Sequence, residues 1–270
     1  MNRTVMITGA SSGIGLETAV IFFEKGWNVI ATMRNPEGRK TNLHEKKMDL
    51  QHLDVIDKDS IKKVIQYALD KYGRIDVLVD NAGYAVRGPF ELSEPEQVKK
   101  QFDTNVLGLM DICRIIIPIF RRQKEGTIIN VASVGGRATV PFYSIYNSSK
   151  FAVEGFSEAL HYELRPFQIK VKIIEPGFIR TDFYDRSMVE TQNEIKNDYG
   201  EMYEKSLKKA EAMSQGASHP IVIAKLIYKA ARSRGDKLRY HAGKNAGLVL
   251  FLRKILPDRL FFTLIRLFAA

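Results

Sequence analysis

The chain has 270 residues, enough for one large α/β domain or two small ones, and no linker, low-complexity run or internal repeat divides it. Its formal charge of +10 favours anionic partners, but the cations are mixed with acids along the chain and no recognition motif accompanies them, which argues against nucleic acid. A single cysteine, Cys113 in the apolar run LMDICRIII, excludes an internal disulfide, and no Cys/His spacing suits a metal.

The first strand begins almost at the N-terminus, in TVMIT (4–8), so the expectation is a cytoplasmic protein without a signal peptide. Thr8-Gly9-Ala10-Ser11-Ser12-Gly13-Ile14-Gly15 follows and leads directly into a helix over Gly15–Lys25. Such a junction sets backbone N–H groups and the positive end of a helix dipole where a phosphate can rest. Gly9 permits the tight turn, Gly13 a close approach of the pyrophosphate, and Gly15 the packing of helix on strand.

NVIAT (28–32) reads as the second strand and runs into Met33 and Arg34, and a short run near Met48–Leu53 as another. After a helix over Ser60–Tyr72 come IDVLVD (75–80), GTIINVAS (126–133), a helix over Lys150–Leu164, and KVKIIEP (170–176). A helix over Pro220–Arg234 precedes a late strand, KLRYHAG (237–243). Strands apolar on both faces, alternating with helices, predict a doubly wound parallel sheet, a Rossmann fold, as one domain over 1–270. The five histidines, His44, His52, His161, His219 and His241, are scattered without catalytic or metal spacing.

Two parts depart from this alternation. Asp182–Ala217 is highly charged and reads as an excursion of one or two short helices. Ala246–Phe268 is apolar with basic punctuation, and Pro257 splits it into two short helices. Neither reaches the roughly 20 apolar residues of a membrane span. Three readings of this segment stay open: a cover over a substrate cleft, an oligomer contact, or peripheral docking on a membrane.

TGASSGIG resembles the cofactor loop of the short-chain dehydrogenases/reductases, and further motifs of that family stand at the matching places. They are LDV (53–55), NAG (81–83), Asn105, Ser133, YNSSK (146–150), and Pro176-Gly177 with Thr181 beyond. The resemblance covers residues 3–183 closely and 220–242 loosely. One departure is Asp80, where the family more often has asparagine; Asn81 and Gly83 remain in place. The family resemblance implies a nicotinamide dinucleotide, with Ser11, Ser12 and Ile14 in the loop beside its glycines. Asp54 and Val55 would flank the adenine, and Asn81, Ala82 and Gly83 would wall the cofactor ribose. Pro176, Gly177, Ile179 and Thr181 would reach the nicotinamide carboxamide and the pyrophosphate. Homo-oligomers are common among such relatives, and one is expected here.

Choice of dinucleotide falls just beyond the second strand, where an acid repels a 2′-phosphate and an arginine attracts it. Met33 occupies the acid's place and Arg34 follows, so NADP(H) is expected over NAD(H), with Arg39 and Lys40 as weaker ligands.

Reduction of a carbonyl leaves an alkoxide that needs a proton. Tyrosine, with a pKa of about 10, is ionised only about one part in a thousand at pH 7, and lowering its pKa to 7 takes roughly 4 kcal/mol. A cation about 4 Å away supplies on the order of 4 kcal/mol at an effective dielectric of about 20, before desolvation opposes it. Lys150, four residues after Tyr146 on the same helix face, is placed to be that cation. The resemblance further implies that Lys150 bonds the nicotinamide ribose. It also implies that Ser133 bonds the substrate oxygen, and that the Asn105 carbonyl holds a water leading to Lys150. Phe142, Tyr143, Phe178, Phe183 and Tyr184 near the expected mouth suggest an apolar ketone, aldehyde or secondary alcohol.

Overall fold

The computed structural model describes residues 2–38, 42–46, 48–181, 188–191 and 198–269. The apolar runs form seven strands of one sheet: β1 (Thr4–Ile7), β2 (Asn28–Met33), β3 (Asp49–His52), β4 (Val77–Asp80), β6 (Gly126–Val131), β7 (Ile169–Pro176) and β9 (Arg239–Ala242). They lie in the order β3-β2-β1-β4-β6-β7-β9, and every pairing is parallel. Alternate residues of each strand feed opposite faces. Met6, Ile30, Leu78, Ile128 and Val171 pack against α3 (Lys58–Tyr72), α5 (Gly108–Gln123) and α6 (Ser144–Leu164). Val5, Val29, Val79, Ile129 and Ile174 pack against α1 (Gly13–Glu24) and α8 (Ile221–Arg232). The central strands β1, β4 and β6 are buried on both faces, which is why their runs are apolar without a regular polar alternation.

Short helices α2 (Asn42–Glu45) and α4 (Pro95–Phe102) complete the first half of the chain. The order reverses between β1 and β4, and a doubly wound sheet opens its binding crevice at the carboxyl ends of such strands.

The helix carrying Tyr146 begins at Ser144, earlier than the apolar pattern alone marks, so Tyr146 and Lys150 sit in its first two turns. The excursion also differs from expectation. Among its described residues are a strand, β8 (Met188–Glu190), parallel to β5 (Ala85–Arg87), and a sixteen-residue helix, α7 (Gly200–Gln215). Three residues of strand have no readable period, and their partner lies about a hundred residues away. The two expected C-terminal helices are present as α9 (Ala246–Ile255) and α10 (Asp258–Ala269). Among the described residues no helix is long and apolar enough to cross a membrane, and no cluster of His, Cys, Asp and Glu suits a metal. Arg39, Lys40, Phe183 and Tyr184 lie outside the described residues.

Candidate active site

The glycine loop is built by exclusion. Gly9 has φ +65°, and a Cβ there would lie 2.9 Å from the Ala82 Cα. A Cβ on Gly15 would run into the Gly9 carbonyl, and one on Gly13, at φ +54°, would come within 3.0 Å of the Thr181 side chain. Left-handed backbone and absent side chains keep the loop tight against β4 and leave its outer side to a ligand. No side chain caps α1 at Ser12, so the helix start, lined by Ser11, Ser12 and Ile14, faces the crevice with its positive dipole end. Thr181, Ile179 and Gly177, beyond Pro176 of β7, close the far wall. Ile179 is buried against Gly243, and Gly177 donates to the Ala242 carbonyl at 2.9 Å. These features suit a pyrophosphate.

Asn81 has a second task that its position in the NAG motif does not announce. Its amide donates to the carbonyls of Thr8 and Gly9, both at 3.1 Å, while Thr8 Oγ1 accepts from the backbone of Asn81 and Ala82, both at 3.0 Å. The loop is thus stitched to the end of β4, and Gly83 abuts the Asn105 side chain. On the adenine side, Met33 is buried and Arg34 is exposed just past β2. Asp54 takes the Ile56 N–H at 3.2 Å, and Val55 packs under Gly108.

Asn105 lies in a π-helical turn, Asp103–Leu107, between α4 and α5, and is 2% exposed. Its amide donates to the Tyr84 carbonyl at 2.9 Å and to Ser149 Oγ at 3.2 Å, and its oxygen takes the Tyr84 N–H at 3.1 Å. Ser149 donates in turn to the Tyr146 carbonyl at 2.7 Å. A π-turn breaks the regular ladder, and such turns gather at functional sites. Here the widened turn is fastened to the backbone of the helix that carries Tyr146. Ser149, inside YNSSK, is a site residue that the motif alone does not mark.

Ser133 leaves the end of β6, takes the Gly135 N–H at 3.0 Å, and hydrogen-bonds the Tyr146 phenol. Lys150 is buried and donates to the Val131 carbonyl at 2.9 Å, with Nζ 5.9 Å from the centre of the Tyr146 ring. The structure brings Ser133, Tyr146 and Lys150 together. Their electrostatics differ from the expectation drawn from charge alone. Burial pushes the phenol up to about 12, with the Ser133 bond pulling the other way. Burial also brings the Lys150 ammonium down to about 8, opposed by the Glu154 carboxylate one turn on. Desolvation is the largest cause of both shifts, because burial disfavours the charged form of each group. At neutral pH the arrangement presents a protonated phenol beside a cation: a proton donor.

Above this cleft the mouth is aromatic. Tyr143 stands edge-on to Tyr146 with centroids 6.4 Å apart, and its hydroxyl lies 3.9 Å from Met188 Sδ on β8. Phe142, held at φ +65°, meets Tyr203 of α7 with centroids 5.0 Å apart. An ion pair between Arg87 and Glu190 ties β5 to β8.

A family model described as short chain dehydrogenase matches residues 3–192. A 3-ketodihydrosphingosine reductase of Bacteroides thetaiotaomicron is 34% identical over 269 residues, 99% of this chain and 98% of that one. The crystal structure of a short-chain dehydrogenase from Streptomyces avermitilis superposes with a TM-score of 0.84 at 30% identity, covering 98% of this chain and 96% of that chain. ElxO, solved with NADP bound, aligns with a TM-score of 0.73 at 26% identity over 89% of this chain and 96% of that one.

Proposed function

As the chain belongs to the short-chain dehydrogenase/reductase family, an oxidoreductase family that uses a nicotinamide cofactor, we propose that it is an NADP(H)-preferring carbonyl reductase acting on an apolar ketone or aldehyde. One arrangement carries this reading: the Tyr146 phenol sits beside Ser133 with Lys150 Nζ 5.9 Å from its ring, and burial favours its protonated form. That is the state a carbonyl reduction consumes. The near full-length likeness to a reductase named for a 3-keto long-chain base, together with the aromatic mouth, favours a ketone on an extended apolar body.

A reduced nicotinamide supplies the hydride when bound. The chain does the rest. Ser133 Oγ holds the substrate oxygen by a hydrogen bond that strengthens as negative charge gathers there. Tyr146 Oη gives that oxygen its proton as the carbonyl carbon takes the hydride, so an alcohol forms and the phenolate is left beside the Lys150 ammonium. Lys150 stabilises that phenolate and would bind the nicotinamide ribose. Asn105, through Ser149, holds the helix that carries both, and its turn offers a carbonyl for the water that returns the proton.

Gly9, Ser11, Ser12, Gly13, Ile14 and Gly15 would cradle the pyrophosphate with Thr181, and Asn81, Ala82 and Gly83 would back the ribose. Asp54 and Val55 would flank the adenine, Pro176, Gly177 and Ile179 would support the nicotinamide, and Arg34 would take the 2′-phosphate.

Replacing Tyr146 by Phe removes the proton donor and little else. Steady-state oxidation of NADPH against a panel of apolar carbonyls should fall by about 10²–10⁴-fold in kcat. NADPH affinity, read by fluorescence titration, should stay within a factor of about two. Unchanged kcat rejects the assignment.

A further inference from the structure

Helices α9 and α10 carry side chains that the rest of the fold does not use. In α9, Leu248, Phe251 and Ile255 are 60, 58 and 53% exposed. Their i, i+3, i+7 spacing puts them on one stripe of the helix. In α10, Leu260 and Leu267, 55 and 70% exposed, stand one above the other at i, i+7, with Phe262 at 42% on the far side of Arg259 and Arg266. Six of the seventeen exposed large apolar side chains among the described residues thus fall within 248–267.

This is not the face that holds the helices to the protein. Phe261 is buried beneath the Arg253 guanidinium, 5.1 Å from its ring, and Lys209 of α7 donates to the Leu267 carbonyl at 3.3 Å. The inner side is spent, and the outer stripe is left to solvent.

Charge decides between occupants. Lys254, Arg259 and Arg266 are exposed beside the apolar side chains, and the one carboxylate in this stretch, Asp258, is already paired with Arg253 at 2.5 Å. A second copy docking by the same patch would set cations against cations, since a two-fold contact repeats each surface on both sides. An anionic headgroup layer over an apolar interior matches both features, and helices this short lie in the interface plane rather than span it.

We propose that α9 and α10 form a docking face for an anionic bilayer surface, with Leu248, Phe251, Ile255, Leu260 and Leu267 entering the acyl boundary and the flanking cations meeting the headgroups. The proposal stands apart from the catalytic reading, because no residue of the cleft takes part.

The test is co-sedimentation of the full-length chain with vesicles of phosphatidylcholine alone and of phosphatidylcholine and phosphatidylglycerol in equal parts, at low and high salt. Binding to the anionic vesicles should be more than about tenfold tighter and should weaken with salt. The combined variant Leu248→Gln, Phe251→Gln, Ile255→Gln should lose most of that binding while keeping its circular dichroism and Tm. Should it misfold, Lys254→Gln with Arg259→Gln and Arg266→Gln decides the matter by losing the anionic preference alone. Full-length protein left in the supernatant, or apolar and charge variants that sediment like the parent, overturns the proposal. So does light scattering in which the variants only dissociate an oligomer that ignores vesicles, for then the face joins copies of this chain.

Discussion

Lys150 pays for its place in the cleft with solvation: it is 7% exposed and gives its ammonium to one carbonyl, that of Val131. Its pKa of about 8 in the folded chain, against an unfolded 10.5, means that the unfolded chain binds more protons between those values. Stability contributed by this residue therefore rises as pH climbs from about 8 to 10.5, and below 8 the full burial cost stands, on the order of 3 kcal/mol. Lys150→Met, which keeps the bulk and loses the charge, should raise unfolding stability at pH 7 by about 1–3 kcal/mol in a urea titration and abolish turnover. A destabilised variant would show that the ammonium is better satisfied than its single bond suggests. In the parent, kcat/KM for carbonyl reduction should be level near neutral pH and fall once pH passes about 8, as the cation beside Tyr146 loses its proton. Asp80 is a second buried group held away from its ordinary charge. It is 4% exposed, its Oδ1 has no partner, its Oδ2 lies 3.7 Å from the Cys113 thiol, and burial drives its pKa well above the usual carboxylate range. Because its folded pKa is raised, its contribution to stability is present below the unfolded value and is lost as pH rises. Asp80→Asn, the residue more common in the family, should therefore stabilise the chain at pH 7 by about 1–3 kcal/mol with little change in kcat. A loss of stability in the same titration would contradict a neutral acid at this site.

At the scale of elements, the cleft is held together by parts distant in sequence. The π-turn at Asp103–Leu107 and the first turns of α6 share one bond, Asn105 Nδ2 to Ser149 Oγ at 3.2 Å, and both residues are buried. Ser149→Ala leaves the Asn105 amide short of one acceptor. It should cost about 1–3 kcal/mol of stability and reduce kcat more than it weakens NADPH binding, because the bond positions the helix of Tyr146 and Lys150 and not the glycine loop. An effect on NADPH affinity alone would place the tie elsewhere. How much of this is legible in sequence depends on where each constraint originates. The glycine loop, Ser133, Tyr146 and Lys150 announce themselves because the chemistry admits few residue types at fixed spacing, and the core strands because they are apolar on both faces. Thr8 and Asn81 stitching the loop, Ser149 holding Asn105, and β8 pairing with β5 are long-range contacts made by ordinary residue types. The buried Lys172 of β7, bonded to the carbonyls of Gly235 and Lys237 at 2.7 Å each, is another. Phe142 at φ +65° is less readable still, since a left-handed aromatic is set by its surroundings: its carbonyl takes the Gly88 N–H at 2.8 Å.

For the molecule as a whole, the crevice at the carboxyl ends of β1 and β4 joins the two halves of the sheet, so a ligand there bridges the glycine loop and the Thr181 wall. Whatever binds the folded chain and not the unfolded one stabilises it by mass action, about 2.7 kcal/mol at a hundredfold excess over Kd. For a chain of this size that amounts to roughly 5 °C or more in Tm. This gives a measure of the cofactor that needs no substrate. NADPH should raise Tm more than NADH at equal concentration, and each tenfold difference in affinity should add about 1.4 kcal/mol to the gap. Arg34→Ala should shrink the NADPH shift towards that of NADH and leave the NADH shift unchanged, because only the 2′-phosphate distinguishes the two. The net charge of +10 makes the comparison sharper, since a general attraction for anions would move with salt for both cofactors while the Arg34 contribution is specific to one. Equal shifts for the two cofactors, or an Arg34→Ala variant that loses both alike, would take the 2′-phosphate away from Arg34 and leave the choice of dinucleotide to the rest of the adenine pocket.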